Sequence, residues 1–395
     1  GDHRDLHRVD RRQRQMCIRD RLTGEKDTLG KALDEIAPFL KQYPNWYEAY
    51  CLRGEVLWAR GAGDEALAAL EQARDVDRRD AGAYLIMARM HLERWRALRG
   101  ERRFDDAAKE LSLATQQYQA LIDEGIAPAR GYFGLGEIAQ EEKRWEDAVH
   151  AFERAVRADP TYGEAYLRLG QAVYQWASDL SDQQALEALN GAVENAGQQH
   201  WLRLAGHVER GEILLEHYLR SKGEGKAAAD LLERANTEFT QARDAAQVQS
   251  FVLRTDGIVI LLSRHPRRGY SARALAGLGR VAFEKEAYDE AVKFYQQALQ
   301  EDYWNFAARY GLGRVHLVRR DSGAALPELE KAVQIDPRSA SAQYYLREAY
   351  YAQYREEEAR AAGQRAADLC SRLGEQPRPR ADDVEACGAP SKGKP

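Results

Sequence analysis

The sequence is poor in the residues that build disulfide scaffolds, metal sites and membrane spans. Only 4 Cys occur among 395 residues, and they are scattered, so a disulfide framework, a metal site or a redox motif is not expected. The longest apolar run, residues 258–262, is far shorter than the ~18 residues that indicate a transmembrane helix. Strand-like alternation of apolar and polar residues is also scarce, which argues against a β-sheet protein.

The charge is nearly balanced, with 58 basic and 63 acidic residues and a net charge of −5. A nucleic-acid-binding protein would carry a basic excess, so nucleic acid is not expected as a partner. Lys accounts for 12 of the basic residues and Arg for 46, a bias that indicates a GC-rich, bacterial genome. The abundant residues are Ala, Leu, Glu, Arg and Gln, which favour helices, and they predict an almost wholly helical protein.

One pattern of small and bulky residues returns along the chain at constant offsets. Gly136 is followed after 12 residues by Ala148, and then by Phe152, Ala155 and Pro160. The same offsets start again from Gly54, Gly279 and Gly313. A repeated pattern of this length predicts stacked helix–turn–helix units, because each hairpin buries its apolar face only against its neighbours.

Windows of 34 residues tile the chain at 13–46 and 47–80, at 129–162 and 163 onward, and at 272–305, 306–339 and 340–373. In each window the first helix is expected to pack through positions 4, 7, 8 and 11, and the second through positions 20, 24 and 27. The small residue at position 8 is expected to face the small residue at position 20. Gly-Leu-Gly triplets recur at the same phase, so they are interpreted as packing glycines and not as a phosphate-binding loop.

These positions resemble the tetratricopeptide repeat (TPR) family, which carries Leu-Gly at positions 7–8, Ala at 20 and 27, and Pro at 32 of each window. The resemblance implies an all-α fold, a right-handed α-solenoid of about nine to ten TPR helix–turn–helix units over residues 22–373. The stretches 81–128 and 200–271 are irregular. Their second helices are predicted to pack through two sets of residues: Ala107, Leu111 and Ala114 in the first stretch, and Ala228, Leu232 and Ala235 in the second.

Both ends of the chain differ from the repeats. Within residues 1–21, the segment RQMCIRDR resembles a translated sequencing adapter, and the alternative interpretation is a basic disordered arm. If it is an adapter, the natural N-terminus and any upstream domain are missing. Residues 374–395 are rich in Pro, Gly and charge, and they are predicted to form a disordered tail.

The search for catalytic constellations finds none, so the sequence predicts a protein that is not an enzyme and that holds neither a cofactor nor a metal ion. In the family, first helices line a concave groove. The residues that the resemblance places in the C-terminal part of this groove combine Arg with Tyr: Arg273, Arg280, Tyr310, Arg314, Tyr344 and Tyr351. Because Arg binds carboxylates, we expect this part to hold an extended or helical peptide with acidic and apolar or aromatic side chains. The alternative is that these Arg are ordinary surface residues.

The predicted function is a non-enzymatic scaffold or adaptor that binds protein or peptide segments and assembles a multiprotein complex. One alternative is the substrate-recruiting arm of a glycosyltransferase-like or sulfotransferase-like enzyme whose catalytic domain lies upstream. Another is an envelope assembly factor. A cytoplasmic and a periplasmic location both remain open, as does the oligomeric state.

Overall fold

The computed structural model describes residues 26–176, 181–197, 199–222, 225–255, 266–375 and 380–388. Within these ranges the regular structure is entirely helical, which confirms the predicted all-α class. The chain divides into two compact units, and the boundary in the sequence lies between Pro160 and Thr161. Residues 1–21, for which an adapter or a disordered arm is predicted, lie outside the described part. One continuous superhelix over residues 22–373 stays a prediction.

From residue 26 onward, where the structure describes it, unit 1 contains one single helix followed by three helical hairpins. The single helix corresponds to the second half of the first predicted window. Successive helices are α1 Lys26–Gln42, α2 Tyr47–Arg60, α3 Gly63–Val76, α4 Gly82–Gly100, α5 Phe104–Asp123, α6 Pro128–Glu141 and α7 Trp145–Ala158.

The described residues of unit 2 form five hairpins and a short final helix. The first and second helices of each hairpin alternate along the chain. They are α8 Gly163–Trp176, α9 Ser181–Glu194, α10 His200–Arg220, α11 Lys226–Thr255, α12 Pro266–Glu284, α13 Tyr288–Glu301, α14 Phe306–Val318, α15 Ser322–Ile335, α16 Ala340–Ala352, α17 Glu356–Ser371 and α18 Ala381–Gly388.

Local sequence explains where these helices begin and turn. The side chains of Asn305 and Ser339 accept the backbone N–H groups of Ala308 and Ala342, and so cap the N-termini of α14 and α16. Between the two helices of a regular hairpin, the residue at position 15 of the window has a positive φ. This residue is a glycine at Gly61, but in the other regular windows it is not: Lys143, Glu286, Arg320 and Tyr354. The turn is thus set by the 34-residue register, even where the residue is not the favoured glycine.

The predicted packing glycines occupy the expected places, but their main contact is with position 24 and not with position 20. A Cβ atom on Gly279 would lie 2.7 Å from the Tyr295 ring, and one on Gly136 would lie 2.6 Å from the Phe152 ring. Only a glycine lets the first helix approach a ring this closely. The expectation that the small residues at positions 8 and 20 face each other is therefore incomplete, because the bulky residue fills the space between the helices.

The first glycine of each Gly-Leu-Gly triplet contacts the ring of the preceding hairpin. Gly311 lies against Tyr295, and a Cβ atom on Gly277 would lie 2.5 Å from the Phe239 ring. Tyr295 and Phe239 are thus each held between two glycines, one from their own hairpin and one from the next. These triplets are a packing device, as the sequence predicts.

In the described residues, each of the two irregular stretches contains a hairpin with long helices. The predicted second-helix residues are buried, which confirms them, with the exception of Leu111. In α5, Leu111 is only half-buried, whereas Tyr118 and Leu121 are buried. In α11, Ala235, Phe239 and Ala242 are fully buried, and Phe239 is the ring that contacts Gly211. Their spacing equals that of Ala148, Phe152 and Ala155, so this signal was present in the sequence. The longer helices extend the set of packing residues further along the second helix.

The predicted disordered tail is also wrong for residues 380–388, where α18 packs against α10, α16 and α17. A disulfide between Cys370 and Cys387 fastens α18 to the end of α17. It is a single bond between two helices and not the disulfide framework that the cysteine content argues against. Composition predicts disorder for a segment without a partner, and this segment finds its partners within unit 2. An isolated helix of 8 residues would be marginal in water, so its contacts must hold it.

Candidate peptide-binding groove

The C-terminal groove is the surface of unit 2 formed by Arg280 of α12, Tyr310 and Arg314 of α14, and the N-terminus of α16. These first helices bring together three of the six predicted site residues, around the first turn of α18. Arg280 donates from Nη1 and Nη2 to the two carboxylate oxygens of Asp382, at 2.7 and 2.8 Å. This is the two-pronged geometry in which a guanidinium binds a carboxylate most specifically.

Arg314 approaches the same carboxylate from α14, with 3.5 Å between its Nη1 and Oδ1 of Asp382. Its guanidinium also lies 4.3 Å from the ring centre of Phe283, 5.1 Å from that of Tyr345 and 5.5 Å from that of Tyr310. Three aromatic faces therefore surround a cation that is almost wholly buried. The Nε of Arg314 and the hydroxyl of Tyr310 have no hydrogen-bond partner in the described part of the chain.

A second carboxylate, that of Asp383, is buried at the N-terminus of α16. Its Oδ1 accepts the backbone N–H of Ser341 at 2.8 Å and the hydroxyl of Ser339 at 3.2 Å. A carboxylate is favourable here because the free N–H groups and the dipole of a helix N-terminus attract negative charge. On the other side of α18, Glu216 of α10 accepts the backbone N–H of Ala381 at 2.5 Å.

The remaining predicted residues lie around this contact. The side chain of Arg273 is held by two carboxylates of α10, with 2.9 Å from its Nε to Glu212 and 3.0 Å from its Nη2 to Glu209. Tyr344 contacts the edge of Tyr345, with 5.3 Å between ring centres. Tyr351 is 47% exposed. The structure therefore brings Arg280, Tyr310 and Arg314 together, whereas Arg273 already has acidic partners.

A cavity of about 450 Å³ lies beside Asp382 and extends the groove towards Arg273. Its lining includes the Phe239 and Tyr295 side chains with the small residues Ala276 and Gly277, and Arg380 and Glu216 at its polar side. Such a mixture of apolar walls and a few charged groups is typical of a binding site. The cavity is large enough for a further side chain of a bound segment.

The sequence analysis missed Asp382 and Asp383 because it treated the tail as unstructured. It also missed Glu216 and Glu284, although both lie on first helices, α10 and α12. Glu284 accepts Nε–H of Arg280 at 2.8 Å and pairs with Lys222 at 2.7 Å. The only available signal for the tail was two adjacent Asp residues opposite an Arg-rich surface. Elsewhere in unit 2, His207 of α10 is buried and pairs with Glu238 at 2.8 Å.

The protonation of Asp382 gives a prediction about the docking of α18. Burial favours a higher pKa for this carboxyl, but the charge and hydrogen bonds of Arg280 and the charge of Arg314 lower the pKa to about 2, from an ordinary value of 3.8. The pKa of Glu284, on the other side of Arg280, is also lowered: burial raises it, and Arg280 and Lys222 outweigh the burial. The ionised form of Asp382 is thus favoured in the docked state. Its contribution to the stability of the docked helix is therefore fully present above pH 3.8 and is lost as the pH falls through about 2.

We expect the carboxyl group of Asp382 to remain ionised at pH 3.8, where an ordinary Asp is half protonated. The measurement is the NMR chemical shift of its carboxyl carbon as a function of pH, in protein with ¹³C-labelled Asp. An Asp382→Asn variant assigns the signal. A midpoint near 3.8 would show that α18 is not docked on Arg280 in solution.

Among the described residues, no helix is long and apolar enough to cross a membrane. No group of three or more His, Cys, Asp or Glu side chains in the described ranges could hold a metal ion.

Comparisons with known proteins agree with the repeat pattern. Two family models, both described as tetratricopeptide repeat, match parts of the chain. One matches residues 129–162, and the other matches residues 260–304 and again residues 305–372. Superkiller complex protein 3 of Mus musculus is 25% identical over 255 residues, which is 60% of this chain. The match spans only 16% of the mouse protein.

Solved structures of TPR proteins are similar to this chain at low identity. PilF of Pseudomonas aeruginosa is 19% identical, with a TM-score of 0.41 over 67% of this chain and 95% of the other. A thermophilic TPR protein of Thermus thermophilus is 21% identical, with a TM-score of 0.38 over 56% of this chain and 99% of the other. The repeat spacing, the paired helices and the family matches in both units identify the chain as a tetratricopeptide-repeat protein.

Proposed function

We propose that unit 2 binds an acidic segment of a partner protein in the C-terminal groove, and that the chain serves as a scaffold in a protein complex. Tetratricopeptide repeats generally mediate protein or peptide binding, and the matched family models describe repeats and not a catalytic domain. The observation that carries the proposal is the two-pronged pairing of Arg280 with Asp382, because a short acidic helix already occupies the groove.

The chemistry of the groove favours such a ligand. Without α18, Arg280 would keep its ion pair with Glu284, but Arg280 and Arg314 would both lose Asp382, which would leave the site with an excess of positive charge. A buried cation without a partner is costly, so an acidic segment gains affinity by neutralising it. Arg and Tyr are also the residues that most often carry the binding energy of protein interfaces.

The role within a complex is a further part of the proposal. The mouse relative bears the name of a complex protein, which supports a scaffold, although the match covers a small part of it. Proteins built of such repeats present extended binding surfaces, so several partners can bind one chain.

The test uses the full chain with Asp382→Ala/Asp383→Ala, here called the vacated variant, because its own helix can no longer pair with the groove. A fluorescein-labelled peptide of residues 380–388 with Cys387→Ser is titrated, and its fluorescence anisotropy is measured. We expect saturable binding that weakens at least tenfold when both Asp of the peptide are replaced by Asn. Adding Arg314→Gln to the protein should also weaken it, whereas the exposed Arg319→Gln should not.

An Asp382→Asn/Asp383→Asn chain serves as a second vacated variant of unchanged side-chain shape, and thermal melting verifies that both variants are folded. Equal binding of the Asp and Asn peptides would contradict recognition of acidic segments. Failure of both folded variants to bind the peptide would contradict the groove as a binding site.

A further inference from the structure

In the described part of the chain, the hydrogen bonds and ion pairs between the groove and α18 come from the first turn of this helix. Asp382 pairs with Arg280, Asp383 binds the N-terminus of α16, and the N–H of Ala381 is accepted by Glu216. Arg380, just before the helix, pairs with Asp336. A foreign segment that used this groove would need the same groups, so it could bind only where α18 does not.

The groove distinguishes the positions of this turn. Ala381 is almost fully buried, and a larger side chain there would have to displace its neighbours. Asp383 is also fully buried, and its carboxylate fits between a backbone N–H and a hydroxyl, whereas a longer Glu would not fit the same space. Further along the helix, Val384 is 48% exposed and Glu385 is exposed. Recognition is thus concentrated in one sequence: a small residue followed by two Asp at the start of a helix.

The disulfide acts at the other end of the same helix. Cys387 lies five residues after Asp382 and is bonded to Cys370 at the end of α17. The bond keeps α18 beside its groove after its polar contacts break, so the helix rebinds at a high effective concentration. Reduction by a dithiol transfers two electrons and two protons: the S–S bond becomes two Cys thiols, and the dithiol becomes a disulfide. The chain that follows α17 is then the only covalent link between the helix and α17, and the contacts of its first turn must hold the helix in the groove.

We propose that α18 is an intramolecular competitor for the C-terminal groove, that the partner segment carries the same small–Asp–Asp sequence at the start of a helix, and that reduction of the Cys370–Cys387 disulfide favours exchange. This inference rests on the proposed function, since it names the partner class and the regulation of that same groove. During such an exchange the groove arginines always have an acidic partner, because the acidic helix of the partner protein takes the place of α18.

The test compares four forms of the full chain with the labelled 380–388 peptide: oxidised wild type, wild type treated with dithiothreitol, Cys370→Ser/Cys387→Ser, and the vacated variant. We expect the weakest binding for the oxidised wild type. Reduction and the double Ser substitution should each tighten binding at least tenfold, and the vacated variant should bind most tightly. Dithiothreitol added to the double Ser variant is the matched control and should change nothing, although Cys51 is present there as a buried free thiol.

A second set of peptides tests the sequence that the partner must carry. Replacing Ala381 by Leu, or Asp383 by Glu, should weaken binding to the vacated variant at least tenfold, whereas replacing the exposed Val384 by Ala should change it less than threefold. Equal binding of these peptides would overturn the predicted sequence.

The outcomes separate this inference from the function on which it rests. If the oxidised wild type binds as tightly as the vacated variant, α18 is not a competitor, and peptide binding by the groove still stands. If the double Ser variant binds like the oxidised wild type, the disulfide has no role in the exchange. If the folded vacated variants bind no peptide, the proposed function itself is wrong.

Discussion

Replacing Tyr295 by Ala should lower the free energy of unfolding of unit 2 by about 3–5 kcal/mol, the range found when large aromatic residues are truncated in a core. The Tyr295 side chain is fully buried between Gly279 and Gly311. Neither glycine has a side chain that could move into the space, so the cavity would remain and two hairpins would lose their shared contact. Denaturant unfolding followed by circular dichroism measures the effect.

Tyr354→Ala is the matched control, since this ring is 94% exposed. Its free energy of unfolding should stay within about 0.5 kcal/mol of the wild type, as for most surface substitutions. If Tyr295→Ala lowered the free energy of unfolding no more than Tyr354→Ala does, the ring between two glycines would not be a main packing contact.

Replacing Arg280 by Ala should lower the free energy of unfolding by about 3–5 kcal/mol, because two carboxylates each lose an ion pair: Asp382 keeps only the longer contact with Arg314, and Glu284 keeps Lys222. Arg280 joins Asp382 to Glu284, and the Glu284 side chain is only 1% exposed. Burying an unpaired carboxylate is more costly than lacking the whole ion pair, so α18 should also leave the groove. The measurement is a thermal melt of the Arg280→Ala chain and of the same change in an Asp382→Ala background.

The two backgrounds separate the contributions of the carboxylates. The loss of stability caused by Arg280→Ala should be smaller in the Asp382→Ala background than in the wild type. The difference between the two losses is the coupling energy between the two side chains. Arg319→Ala is the control, since Arg319 pairs with Asp289, which is 90% exposed, and a surface pair contributes about 0–1 kcal/mol. Equal losses at Arg280 and Arg319 would mean that the groove arginine stabilises no more than a surface pair.

The regular repeats could be predicted from the sequence because their signal is local and periodic. Gly136 and Phe152, or Gly279 and Tyr295, stand at one fixed offset, so a comparison of the chain with itself finds them. The long hairpins were harder, because added turns move the buried ring to Tyr118 and Phe239 while the offset from the first helix changes. The spacing within the second helix remained, and it is the more reliable guide there.

The acidic occupant of the groove was predictable in chemistry but not in identity. The arginines on first helices predicted an acidic ligand, and Asp382 is one, but it lies 102 residues from Arg280. No periodic pattern connects two such positions, because their contact depends on the path of the whole unit. Composition then misled, since charge and Pro describe what a segment does alone and not what it does against a surface of opposite charge.

The rings held between two glycines also limit the order in which repeats can be joined. Such a ring needs a glycine at position 6 of the following window, as Gly311 follows Tyr295. Window 340–373 has Tyr345 at that position, and it follows a window whose bulky residue is Leu329. If this window directly followed the window of Tyr295, the ring of Tyr345 would clash with the ring of Tyr295. A duplication or shuffling event that joined these two windows would therefore produce a chain whose core cannot pack. The repeats are alike in length, yet their neighbours are specified, and behind Tyr295 the array can lengthen only by copies that carry a glycine at position 6.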